Sequence, residues 1–172
     1  EYTKMMQVPL KNEREELVHI MYTQAILDKT GKLRIIPRNY WSDTTIITQA
    51  QENDGINTFY NRKTGEIIVN DFKTKKKYKA IKYIVKDTIK KKINKNIDER
   101  PDRTKQEKLD KKYLLYKYSN ATGLRNLIAK TLRLKGVDFY RTVLKYHYEK
   151  TYDMEYVALM MSHSVQTGEA YY

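Results

Sequence analysis

The stretch INTFYNRKTGEIIVNDFKTKKKYKAIKYIV, residues 56–85, decides the fold class. Its runs INTFYN, EIIVNDF and KYKAIKYIV are rich in Ile, Val, Tyr and Phe, which suit a pleated, half-buried surface. Arg62 to Gly65 and Lys73 to Lys77 separate the runs as turns, so the stretch reads as a three-stranded antiparallel sheet. The second turn, DFKTKKKYK, is almost all lysine. Such a charged tip can simply solvate a sheet edge. It can also be a finger that meets DNA phosphates, which makes Lys75, Lys76, Lys77 and Lys79 the candidate DNA contacts.

Outside this stretch the chain reads mainly as helix, so the expected class is α+β: a mostly helical core with a small sheet. Upstream, residues 12–27 (NEREELVHIMYTQAIL) carry Leu17, Ile20, Met21, Ala25 and Leu27 on a helical stripe. Asn12 is the expected cap, and Glu13, Glu15 and Glu16 favour the positive end. His19 lies in this helix with no second ligand one turn away and is read as a packed histidine. In residues 33–46, LRIIPRNYWSDTTI, Pro37 breaks any helix and holds Ile36 extended. Arg34 and Arg38 flank that break. Trp41, the single tryptophan, is expected in the core.

Downstream, residues 86–112 are very basic, with only Ile89, Ile93 and Ile97 continuing a stripe from Ile84. A helix to about Asn94 and then an exposed connection is expected. Residues 122–134, TGLRNLIAKTLRL, place Leu124, Leu127, Ile128 and Leu132 on one face, with Thr122 or Asn120 as cap and Gly136 as stop. Asp138 is expected to cap FYRTVLKYHYEK, Asp153 to cap MEYVALMM, and Thr167 to cap a last helix bearing Tyr171 and Tyr172.

The bulk numbers narrow the partners. The 172 residues suit one domain, and 34 Lys+Arg against 21 Asp+Glu leave a net charge of +13. That excess points to a polyanion, such as DNA, RNA or an anionic membrane surface. No apolar run reaches the roughly 20 residues that a membrane span needs. With no cysteine there is neither a disulfide frame nor a thiolate zinc site. The chain begins with Glu1, lacks a secretory leader and ends on Tyr172; it reads as a domain excised from a longer protein.

The order of features then becomes informative. An IIPR segment follows an early helix, and lysines lie in a hairpin. TGLRNLIAKTL puts an arginine near a late helix start, and ALMMSHSVQTGEAYY puts His163 nine residues before Tyr172. Over residues 12–172 this resembles the catalytic domain of the tyrosine recombinases, the phage-type integrases, in the divergent forms of viruses and mobile elements. The resemblance implies the DNA breaking-rejoining enzyme fold. It matches Arg38 to the family's first arginine, with Arg34 as rival, and Lys73 to the hairpin lysine, with Lys75 to Lys77 close by. Arg125 matches the second arginine, with Arg141 as rival. His163 matches the late histidine and Tyr172 the nucleophile, with Tyr171 one residue nearer. The family commonly has histidine or lysine three residues before the second arginine; here that place holds Thr122, or Asp138 if Arg141 serves.

The chemistry needs these residue types. A tyrosine attacks the scissile phosphate, releases a 5′-hydroxyl and leaves a 3′-phosphotyrosine, so rejoining requires no ATP, metal or other cofactor. Two arginines can clamp the non-bridging oxygens with planar charged forks. A lysine can protonate the leaving oxygen. The expectation is a site-specific recombinase or integrase acting on double-stranded DNA inside the cell, as a tetramer on paired sites when full-length. Its N-terminal DNA-binding domain and C-terminal tail would lie outside this sequence. A type IB topoisomerase shares the chemistry, and a catalytically inactive nucleic-acid-binding module shares the charge.

Overall fold

A computed structural model describes residues 1–49, 54–70, 72, 74–118 and 121–172, with Ala121 described by its backbone alone. The class is mixed, as the alternation of strand-forming and helical runs implies. The elements in chain order are α1 (Tyr2–Met6), α2 (Glu13–Thr23), β1 (Thr45–Ile47), β2 (Phe59–Asn61), β3 (Glu66–Val69), α3 (Lys75–Tyr78), β4 (Ile81–Ile84), α4 (Asp87–Asp98), α5 (Lys105–Asp110), α6 (Ala121–Leu132), α7 (Val137–Tyr148), α8 (Met154–Met160) and α9 (Val165–Tyr171).

The sheet has four strands in the order β1-β2-β3-β4, which corrects the three-stranded antiparallel expectation. Strands β2, β3 and β4 pair antiparallel as read, and Gly65 turns the first hairpin at φ 77°, where a Cβ is disfavoured. The added strand, β1, pairs parallel to β2 with Thr45 opposite Phe59. At three residues it is too short to show a period of its own. It forms because Phe59–Asn61 leaves an open edge that TII can cover.

Helix α2 is the central pillar. Asn12 caps it by accepting from the Glu15 amide at 3.0 Å. Its stripe is much broader than a surface helix requires: every residue from Leu17 to Thr23 is buried, between α4 and α6. His19 is packed as expected, its Nε2 3.1 Å from the Met5 carbonyl. Trp41 is fully buried.

The 86–112 region departs from its reading. Helix α4 runs on to Asp98, and the segment beyond is anchored rather than loose. Arg100 is buried and donates to the carbonyls of Asp110 (3.1 Å), Tyr113 (2.6 Å) and Leu114. A capping box, Thr104 with Glu107, starts α5. Four smaller expectations also change. The lysine turn contains a short helix, α3. Arg133, at φ 56°, takes the left-handed turn after α6, while Gly136 precedes α7 in extended form and Asp138 lies within the first turn. Thr122 lies inside α6, and Asn120 lies outside the described residues. Ser164, not Thr167, caps α9, accepting from the Thr167 amide at 3.2 Å.

Candidate active site

The sequence MMSHS is a helix stop, a histidine and a helix start. Asp153 caps α8 by accepting from the Tyr156 amide at 2.7 Å. The helix ends in a Schellman turn: Ser162 adopts φ 57°, its amide donates to Leu159 at 2.9 Å, and the His163 amide donates to Ala158 at 3.1 Å. Ser164 then opens α9, so His163 is fixed between two capped helix ends. One helix later, Tyr172 closes the segment, its amide bonded to Gly168 at 3.0 Å. The Tyr172 ring stacks on His163 with centroids 5.4 Å apart and planes 7° apart.

Arg38 reaches this pair from the other end of the chain. Pro37 keeps the segment extended, the Ile36 amide donates to the Met160 carbonyl at 2.7 Å, and the Tyr22 hydroxyl donates to the Arg38 carbonyl at 2.6 Å. Arg38 Nη2 donates to the Tyr172 hydroxyl and lies 3.3 Å from an Asp138 carboxylate oxygen. Burial opposes the Arg38 charge, but the bond to Tyr172 and the Asp138 carboxylate outweigh it, and its pKa stands above the usual arginine value.

Arg141 forms the floor. It projects from α7, is 2% exposed, and its two terminal nitrogens donate to Ile36 O (2.7 Å) and Met161 O (2.6 Å). One guanidinium therefore ties together the segments that carry Arg38 and His163. Its carbon lies 5.2 Å from the centre of the Tyr172 ring. These side chains line a cavity of about 330 Å³, with Tyr40, Thr74, Lys77, Tyr78, Ser164 and Thr167 around them. Two buried nitrogens of the cluster, Arg141 Nε and His163 Nε2, have no protein partner. Burial, then the charges of Arg141 and Arg38, hold the His163 pKa below the ordinary histidine value, against the pull of its Nδ1 contact with Ser164 O.

The cavity thus gathers Arg38, Arg141, His163 and Tyr172. Arg125 is not among its lining residues; it is exposed on α6 and faces a neighbouring groove. Arg34 pairs with Asp28 at 3.7 Å, Tyr171 is 78% exposed, and Thr122 is exposed on α6. Lys73 lies outside the described residues. Of the other hairpin lysines Lys77 lines the cavity, while Lys75, Lys76 and Lys79 do not. Thr74 donates to Ser162 O at 2.7 Å and so ties the lysine tip to the histidine turn.

Asp138 is the participant that the sequence reading did not place at the site. Three residues before Arg141 it lies almost one helical turn away, which is the signal that could have found it. Among the described residues no group of three or more His, Asp or Glu side chains is arranged to hold a metal, and no helix is long and apolar enough to cross a membrane. Compared with known proteins, the chain matches no family model, no curated protein and no solved structure.

Proposed function

We propose that this chain carries a phosphodiester-transfer site of the tyrosine-nucleophile kind and cuts and rejoins DNA through a 3′-phosphotyrosine link. The observation that carries the reading is the convergence of Tyr172, Arg38, Arg141 and His163 on one cavity, with unpartnered nitrogens on Arg141 and His163. A net charge of +13 suits a nucleic-acid substrate.

In this reading Tyr172 attacks phosphorus as the 5′-oxygen leaves. Arg38 exchanges the Tyr172 hydroxyl and Asp138 for non-bridging oxygens. Arg141 supplies its charge and its Nε from a guanidinium already fixed by two carbonyls, which is preorganised stabilisation worth on the order of 3–4 kcal/mol for one donor. The choice of Arg141 over Arg125 as second clamp follows from their positions. His163, protonated at Nε2 when an anion binds, adds a further donor. Lys77 or Lys73 protonates the leaving oxygen. The sequence resemblance favours recombination between paired sites by a tetramer; relaxation of a plasmid without strand exchange would mark the topoisomerase alternative.

One observation favours an inactive nucleic-acid-binding module instead: Asp138 occupies Arg38, where the family commonly has a cation three residues before its arginine. End-labelled nicked duplexes of randomised sequence separate the two. An active chain leaves an SDS-resistant protein–DNA band that is absent in Tyr172→Phe. No band under any condition, or a band that persists in Tyr172→Phe, overturns the proposal.

A further inference from the structure

Beside the cavity lies a second groove of about 520 Å³, lined by Arg38, Arg125, Asn126, Lys135, Asp138 and Phe139 among others. Arg38 borders both. Arg125 and Lys135 are exposed, and neither is held in a salt bridge among the described residues. The one carboxylate on this wall, Asp138, is engaged with Arg38 at 3.3 Å. The groove therefore holds three cations against one anion, and two of those cations are uncommitted. By contrast Arg14, Arg34, Arg62 and Lys117, elsewhere on the surface, each have a carboxylate neighbour.

Building on the reading above, we infer that this groove seats the next backbone phosphate of the DNA strand whose scissile phosphate lies in the cavity, with Arg125 and Lys135 as its ligands. A strand that reaches Arg38 from either cavity continues into the other. An uncommitted arginine and lysine at that border match a polyanion's regular charge, one per ~3.4 Å along each strand. Asn126 adds an amide donor, and nothing here reads a base. The groove thus sets register and affinity rather than sequence. It also gives Arg125 a role: a positioning residue for the substrate that touches no reacting atom.

The test is duplex binding by fluorescence anisotropy across a salt series, with a random-sequence 30-mer, for wild type, Arg125→Gln, Lys135→Gln, the double variant, Arg125→Lys, and Lys95→Gln as a control on the α2–α4 cleft. Each groove substitution is expected to lower the steepness of log K against log salt by about 0.9, which is roughly eightfold in affinity at 0.1 M salt. The double variant should lose about twice that steepness, and Arg125→Lys should retain it. Thermal melts of these exposed variants should coincide with wild type. Slopes unchanged in Arg125→Gln and Lys135→Gln, with wild type still binding and still forming the Tyr172 adduct, overturn the groove and leave the active-site reading intact. A loss no larger than that of Lys95→Gln overturns it equally. A wild-type chain with no salt-dependent binding overturns both.

Discussion

Arg141 and Arg125 stand sixteen residues apart on consecutive helices, and their surroundings are opposite. Arg141 is 2% exposed, gives two hydrogen bonds to carbonyls of distant segments, and lies beneath an aromatic ring. Arg125 is exposed on an open groove. The difference teaches that a charged side chain becomes part of an active site by being held there. A buried guanidinium fixed by backbone carbonyls offers a field that needs no reorganisation when a phosphate arrives. An exposed one offers attraction that water and salt weaken.

The comparison breaks most sharply if both arginines are removed in turn. Arg141→Ala leaves the Ile36 and Met161 carbonyls without their donors, and at ~1.5–3 kcal/mol per bond to a charged group the expected loss is about 3 kcal/mol. Urea denaturation should show that loss, and DNA adduct should vanish with it. Arg125→Ala should stay within ~0.5 kcal/mol of wild type, as surface substitutions do. Equal losses would remove the distinction.

Two glycines sharpen it next. A Cβ at Gly168 would stand 3.0 Å from His163 Cε1 and 3.4 Å from Lys145 Cε, so α9 and Tyr172 must shift. Gly168→Ala is expected to slow adduct formation about tenfold or more, since small misplacements of reacting groups are costly. Gly136, in the Arg125 groove, has an extended backbone and no atom within 4 Å of an added Cβ. Gly136→Ala should leave the rate unchanged.

His163 provides the third contrast. Its folded pKa lies below the unfolded value of ~6.5, because of burial and then of Arg141 and Arg38. Below about pH 6.5 the unfolded chain takes up a proton that folded His163 refuses. Its contribution is therefore fully present above that pH and is lost as pH falls toward the folded pKa. His147, held low by burial and Lys150, acts in the same direction, so the comparison is between wild type and His163→Gln, whose stability should fall less on acidification. An NMR titration should show the His163 pKa rising in Arg38→Gln and unmoved in Arg125→Gln.

The smallest effect concerns the turn that delivers His163. Ser162 takes a left-handed φ without being glycine, and its bond to Thr74 uses its carbonyl. Ser162→Gly should leave adduct formation intact and shift stability by no more than ~1 kcal/mol. Loss of adduct there would show that the side chain matters beyond the turn.

Much of this was legible in the sequence. The strand-forming runs of 56–85, the Asn12 and Asp153 caps and the buried Trp41 are local signals, and local signals survive folding. The short strand β1 was not legible, because three residues show no period and its formation depends on the edge of β2. Arg100 was hidden among lysines, since composition cannot show that one charge of a basic run turns inward to four acceptors. At the site, Arg38, His163 and Tyr172 could be named from their order along the chain. Arg125 stood ahead of Arg141 because TGLRNLIA has the expected local context. Only packing shows that α7 turns Arg141 under Tyr172, and that Asp138 lies beside Arg38.

The central claim, that Tyr172 attacks a phosphate held by Arg38 and Arg141, is tested most directly by locating the covalent bond. The SDS-resistant adduct is digested with nuclease and protease, and the C-terminal peptide is sequenced by tandem mass spectrometry. The account predicts a nucleotide mass on Tyr172, formed by wild type and by Tyr171→Phe alike. A nucleotide on Tyr171, or on any residue outside the cavity, contradicts it.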